Sequence, residues 1–371
     1  MSAAVRPLTE GELLELHRDL VATPSVSGEE GPLASWLADF LAARGARPER
    51  LGDSLLVAAG TGPLLLLDSH LDTVPPGPDW TRDPFAATVV AGRVHGLGAN
   101  DAKAAVAAMT AAFLALAAAP LPVTVALALV AAEETNGHGS RDVFEALAAR
   151  GRLPAAAVFG EPTGLDLAVA QKGLLVLELV ATGTAAHAAH ARRLGAVNAA
   201  RLLARDLMAL GDLALGPEHP QLGATTLEPT VVRAGTARNV VPAEATAVLD
   251  VRTTPALAAA EVIARVRTKA VSEVRVLSDR FAPRATPPGP LLDAARAARP
   301  GAREYGSATL SDWAQLPEGV PGIKLGPGAS ERSHTPDEWV LESEILAGAR
   351  CYEALARAFA AAAAAGAEGI A

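Results

Sequence analysis

The chain has 371 residues and a formal net charge of −9; half of it is hydrophobic and only 4% is aromatic. That length predicts two domains, the acidic balance argues against nucleic acid as the main partner, and a single cysteine, Cys351, excludes an internal disulfide framework and a cysteine-built zinc site. The Ala-rich runs are too short or too interrupted to span a membrane. Residues 1–6 lack the regions of a signal peptide, so the expected setting is the cytoplasm.

Residues 8–23 place Leu between charged residues at helical spacing, and Pro24 ends that helix. Residues 25–30 read as a loop that caps a helix over 31–43. A hairpin-like stretch over 51–59 leads into four consecutive Leu, 64–67, followed by Asp68-Ser69-His70-Leu71-Asp72. An unbroken apolar run of this kind suits a parallel strand covered on both faces. In such sheets ligands bind beyond the carboxyl ends of the strands. His70 and Asp72 share a face in extended backbone, either as a polar strand end or as a metal ligand with its orienting partner. The Pro-rich loop over 73–85 is too long for a simple connector. Asp101 precedes an apolar helix over 102–118, as its N-cap or as a further ligand.

Further buried strands are predicted over 122–132, 155–159 and 322–325. They end at Glu133-Glu134, at Glu161 and, through Gly326-Pro327-Gly328, at His334. Acids and histidines thus recur at one end of the strands. His70, Asp101, Glu134, Glu161 and His334 form a sufficient ligand set for two divalent ions about 3.5–4 Å apart that share one carboxylate. Glu133 then remains to hold a water as general base. Between residues 173 and 282 the pattern changes to β-α-β-β-α-β, the order of an inserted ferredoxin-like domain. His187 and the polar loop 235–242 lie within it. The last helix is expected over 342–364, its Ala-rich tail extending it and then fraying.

The stretches Ser69 to Pro75, Gly96 to Lys103, Glu133-Glu134, Gly160 to Thr163, Gly235 to Pro242, Asp250-Val251-Arg252, Leu325 to Gly328 and His334 to Glu338 are collinear over nearly the whole chain. Together they resemble the M20 metallopeptidase family, in particular its acetylornithine deacetylases and succinyl-diaminopimelate desuccinylases. The resemblance implies an α/β, zinc-exopeptidase-like catalytic domain over 1–172 and 283–371 with a mostly parallel central sheet. It also implies that the ferredoxin-like insert, 173–282, is a lid that forms a homodimer. Two ions, zinc or alternatively cobalt, are implied. Asp101 would bridge them, with His70 and Glu161 on one and Glu134 and His334 on the other. Asp72 would orient His70, Glu133 would be the general base, and His187 would stabilise the oxyanion across the dimer. Asn239, Arg252 and Lys172 are the implied substrate-binding residues. Ala104, Ala105, Ala188 and Ala189 depart from the usual family residues without removing a ligand.

The implied reaction is amide hydrolysis of an N-acyl amino acid. The residues around His334 look most like those of acetylornithine deacetylase, a step of arginine biosynthesis. Alternatives are release of lysine or ornithine from an amino-group carrier protein, and deacylation of N-succinyl-diaminopimelate or N-acetyl-citrulline. A dipeptidase or a non-catalytic binding protein is more remote. The insert carries 12 Arg+Lys against 10 Asp+Glu, or +2, leaving −11 for the remainder. A basic lid bearing Arg192 and Arg193 suits either an acidic carrier or a dimer surface.

Overall fold

The four leucines before Asp68 point alternately to opposite faces of one sheet. Leu65 and Leu67 join a core built with helices Glu10–Ala22, Gly31–Ala43, Lys103–Ala118 and Glu342–Glu368. Leu64 and Leu66 join a second core, with helix His138–Ala149 and Trp313. A strand's period of two produces the alternation, and burial on both faces explains the unbroken run. Truncating one of these leucines to Ala is expected to cost about 2–5 kcal/mol.

The computed structural model describes residues 4–368. It divides into two units: Met1–Val169 with Thr286–Tyr305 and Ser311–Ala371, and Ala170–Ala285 with Gly306–Leu310. In the first unit the strand order is Glu49–Leu51, Ser54–Gly60, Thr124–Val130, Leu64–His70, Ala156–Phe159, Gly322–Lys324, Leu167–Gln171. The four from Thr124–Val130 to Gly322–Lys324 are mutually parallel. Ser54–Gly60 and Leu167–Gln171 pair antiparallel to them. The sheet is therefore mixed, with a parallel centre.

The second unit is an antiparallel sheet in the order Thr226–Ala234, Glu244–Thr253, Gly173–Thr182, Glu273–Phe281. Helices Ala199–Gly211 and Ala259–Lys269 pack on one face of it, against Leu175, Leu177, Leu179, Ala247 and Leu249. This is the ferredoxin-like arrangement expected from the element order.

Three local expectations need correction. The helix Gly31–Ala43 takes no side-chain cap from the preceding loop. The Glu30 carboxylate turns inward instead and accepts the N–H groups of Gly28 and Ala132. Asp101 is not an N-cap either: the helix starts at Lys103 behind Ala102, and Asp101 faces the strand ends. The last helix runs to Glu368, beyond the expected end, while the fraying expected at the extreme C-terminus lies outside the described residues.

Candidate active site

Because the four central strands are parallel, their carboxyl ends open on one side, and the polar residues that follow them meet there. His70 is the last residue of its strand and is buried. Glu133 and Glu134 follow Val130, Glu161 follows Phe159, and His334 lies on the loop after Gly322–Lys324. Among the described residues, three groups of donor atoms lie within 4.8 Å of one another: His70, Asp101 and Glu161; Asp101, Glu134 and His334; and His70, Glu133 and Glu134. The first two are the ligand sets that the family resemblance implies.

Asp101 stands between two imidazoles. Its Oδ1 is 3.3 Å from His70 Nε2, and its Oδ2 is 3.8 Å from His334 Nε2. His334 Nε2 is also 2.8 Å from Glu134 Oε1. His70 Nδ1 lies 2.9 Å from the Asp72 carbonyl oxygen and 3.6 Å from its carboxylate. With the Nδ1 proton directed at that carbonyl, Nε2 is the ring nitrogen turned toward Asp101 and the one left to ligate a metal ion. Asp72 thus orients His70 first through its backbone. Its carboxylate accepts the N–H groups of Glu133 and Glu134, at 3.1 Å each, and the Ser27 hydroxyl. It positions the Glu-Glu pair as well as the histidine.

The electrostatics are those of a site short of positive charge. Burial pushes the Glu161 carboxyl up to about 8, against the pull of Lys324. Burial likewise holds Glu133 well above the usual carboxylate range. For His70, burial works downward, but Asp101 and Asp72 outweigh it and hold the imidazole well above its ordinary value. The hydrogen bond to Glu134 raises His334 to about 9. Protons on the two imidazoles thus supply positive charge that two divalent ions would supply, and the donors are nitrogen and oxygen only. These residues fit a pair of zinc-type ions.

Several supporting residues were not singled out as site residues in the sequence. Glu338 is buried, and its carboxylate accepts the N–H groups of Gly98, Asn100 and Asp101. Lys103 is fully buried; its Nζ donates to the Thr23 carbonyl, and burial lowers its pKa to about 7. Asp68 is buried beside Ser140, and burial followed by the charge of Asp312 keeps its carboxyl well above the usual range. The long Pro-rich loop is pinned by Asp337, which accepts from Thr81 N–H, the Thr81 hydroxyl and Arg82 N–H. Ala132 and His334 both adopt positive φ, 61° and 58°. Such values are uncommon outside glycine and concentrate at functional sites.

The other expected residues lie in the second unit. His187 is exposed, and its Nδ1 accepts the Ala189 N–H at 3.2 Å. It pairs with Val240 across a short two-residue ladder, and the Asn239 carbonyl accepts the Ala188 N–H. His187 and Asn239 are therefore brought together. Arg252 is forked onto Asp250 at 2.8 and 3.1 Å. It is thus an already paired guanidinium rather than a free cation. Lys172 donates to the Ala224 carbonyl, and burial followed by the nearby charge of Arg252 lowers its pKa.

A model of Peptidase family M20/M25/M40 matches residues 66–358. The chain belongs to that family and is one of its metal-dependent amidohydrolases. It is 32% identical, over 93% of its length and 98% of the relative, to a succinyl-diaminopimelate desuccinylase of Xanthomonas campestris. It is 34% identical to a probable carboxypeptidase of Aspergillus terreus over 68% of this chain and 62% of that protein. The fold is shared with a Sulfolobus solfataricus M20 metallo-carboxypeptidase, at a TM-score of 0.76 and 19% identity, covering 94% of this chain and 99% of that one. It is also shared with a Bacillus subtilis M20 peptidase described as binding a dinuclear metal, at 0.71 and 20%, covering 94% and 97%. Among the described residues, no helix is long and apolar enough to cross a membrane.

Proposed function

We propose that the protein hydrolyses the amide bond of an N-acyl amino acid, with N-succinyl-diaminopimelate as its first candidate substrate. The observation that carries the reaction is Asp101 set between His70 and His334, with Glu133 buried alongside. His70, Asp101 and Glu161 would hold one divalent ion, and Asp101, Glu134 and His334 the other. Bound there, zinc or cobalt would polarise the scissile carbonyl and ease deprotonation of water.

Glu133 takes the proton of the attacking water and returns it to the departing amine, and burial gives its carboxylate the proton affinity that a general base needs. Asp72 keeps Glu133 in place through the backbone N–H. His187, whose Nδ1 accepts a backbone N–H, keeps its proton on Nε2 and donates it to the developing oxyanion. Asn239, Lys172 and Arg252 bind the substrate, and Arg252 exchanges Asp250 for a substrate carboxylate. The second unit serves as a lid that joins two chains into a homodimer, and the enzyme works in the cytoplasm.

The full-length similarity to desuccinylases supports the succinyl substrate. N-acetyl-ornithine is the second reading; it rests on the turn Leu325 to Gly328 and on Pro336 to Glu338. The test is hydrolysis of both by the metal-loaded enzyme, beside N-acetyl-citrulline and a carrier-linked lysine. Preference for the succinyl compound supports the first reading, and preference for acetyl-ornithine replaces it with the second. Turnover of the carrier conjugate alone would give the basic lid an acidic protein partner. Failure to cleave any amide would overturn the proposal.

A further inference from the structure

We propose that Glu338 is a positioning residue for Asp101, locking the backbone that carries this carboxylate to the loop that carries His334. The inference rests on the reading of Asp101 and His334 as metal ligands. Glu338 Oε1 accepts the N–H groups of Asn100, at 2.7 Å, and Asp101, at 2.9 Å, and Oε2 accepts that of Gly98, at 3.0 Å. The Glu338 carbonyl also accepts the Gly96 N–H at 3.0 Å. Asn100 closes the other end of the loop. Its Oδ1 accepts the Ala329 N–H, and its Nδ2 donates to the Ala329 carbonyl and the Ser333 hydroxyl. Gly328, at φ 85°, admits this contact because a Cβ there would lie 2.3 Å from Asn100 Oδ1.

The segment bearing His334 is thus fastened on both sides to the segment bearing Asp101. Bonds from backbone N–H to a buried carboxylate are charge-assisted and short, and only a carboxylate accepts with both oxygens. A Gln at 338 would keep the shape but turn an NH2 group toward a backbone N–H. Loss of a partner that orients a ligand typically costs about 10–100-fold in metal affinity or activity.

The test compares wild type, Glu338→Gln and Asp337→Asn. The Asp337 carboxylate holds Thr81 and Arg82, and the residue's backbone carbonyl, which the substitution leaves in place, lies 3.4 Å from His95 Nδ1. Loss of the carboxylate loosens the same loop without releasing Asp101. Metal per chain is measured after zinc loading and dialysis, visible absorption on the cobalt form, and kcat and KM on the holoenzyme. Wild type and Asp337→Asn are expected to keep two ions and the same cobalt bands. Glu338→Gln should lose an ion or shift those bands, with kcat down about 10–100-fold and KM within about twofold. If Glu338→Gln fails to fold, Glu338→Asp, which keeps the charge but draws it back by one methylene, takes its place with the same expectation. Wild-type metal content, bands and kcat in the folded variant would overturn the inference, as would an equal loss in Asp337→Asn. Fewer than two ions in the wild type would overturn the ligand reading beneath it.

Discussion

The two units hold their polar side chains in opposite ways. In the first, Asp72 and Glu338 are buried and receive hydrogen bonds from segments far away in sequence, and the buried His70 reaches Asp101 as well as the neighbouring Asp72 carbonyl. In the second, His187 and Asn239 are exposed, and their bonds are to near neighbours or a short facing strand. Buried ionisable groups must be paired or hydrogen-bonded, so the first unit's groups are fixed in place before any ligand arrives. Exposed groups on a loop cost little to hold and little to move. The contrast is that of chemistry built into a core and contacts carried on a surface.

Substitution of Glu133 probes that contrast most sharply. Glu133→Ala removes a group assigned to proton transfer and not to metal holding. Turnover is expected to fall about 10²–10⁴-fold, with metal content and the circular dichroism spectrum unchanged. Retained turnover would remove Glu133 from the mechanism. Loss of metal instead would move it among the ligands, through its group with His70 and Glu134.

A paired comparison of His334→Ala and His187→Ala separates the units themselves. His334→Ala is expected to lower metal occupancy, because its Nε2 meets both Asp101 and Glu134. His187→Ala is expected to leave metal content intact and lower kcat about 10²–10³-fold, the usual cost of one oxyanion donor. Full metal occupancy in the first variant, or an unchanged rate in the second, would break the assignment of that residue.

What the sequence disclosed follows the same line. The strand ends were legible because parallel topology puts successive carboxyl termini on one side, and His70, Glu134, Glu161 and His334 each follow a recognisable apolar run. The ferredoxin-like topology of the second unit was legible from element order alone. Glu338, Glu30 and Lys103 were not singled out, because their partners are backbone groups far along the chain: Asp101 for Glu338, Ala132 for Glu30 and Thr23 for Lys103. Side-chain patterns carry no record of such bonds. The pairing of Arg252 with Asp250 went unread for a related reason. Asp250 stands two residues before it on the same strand face, and that spacing was read only as a motif.

The smallest effect concerns the metal-free protein. Burial raises Glu161 to about 8 and both Asp312 and Glu338 to about 7. Each carboxyl therefore binds more protons folded than unfolded, from its unfolded value up to its folded one, and each contributes a stability that is lost as pH rises through that window. His17 acts in the opposite sense: burial lowers it to about 4, so between there and its ordinary value its contribution grows with pH. Glu133 and Asp68 are raised by burial in the same sense, so the buried carboxyls outweigh His17 and the thermal midpoint of the chelated protein is expected to fall between about pH 5 and 7. Zinc should flatten that slope, since bound cations favour the ionised carboxylates whatever the pH, and binding to the folded state alone adds stability of about 2.7 kcal/mol at a hundredfold excess over Kd. Thermal scans of the zinc-loaded and chelated protein across this range check the point. Parallel slopes would mean that the buried acids are balanced within the fold and not by bound ions.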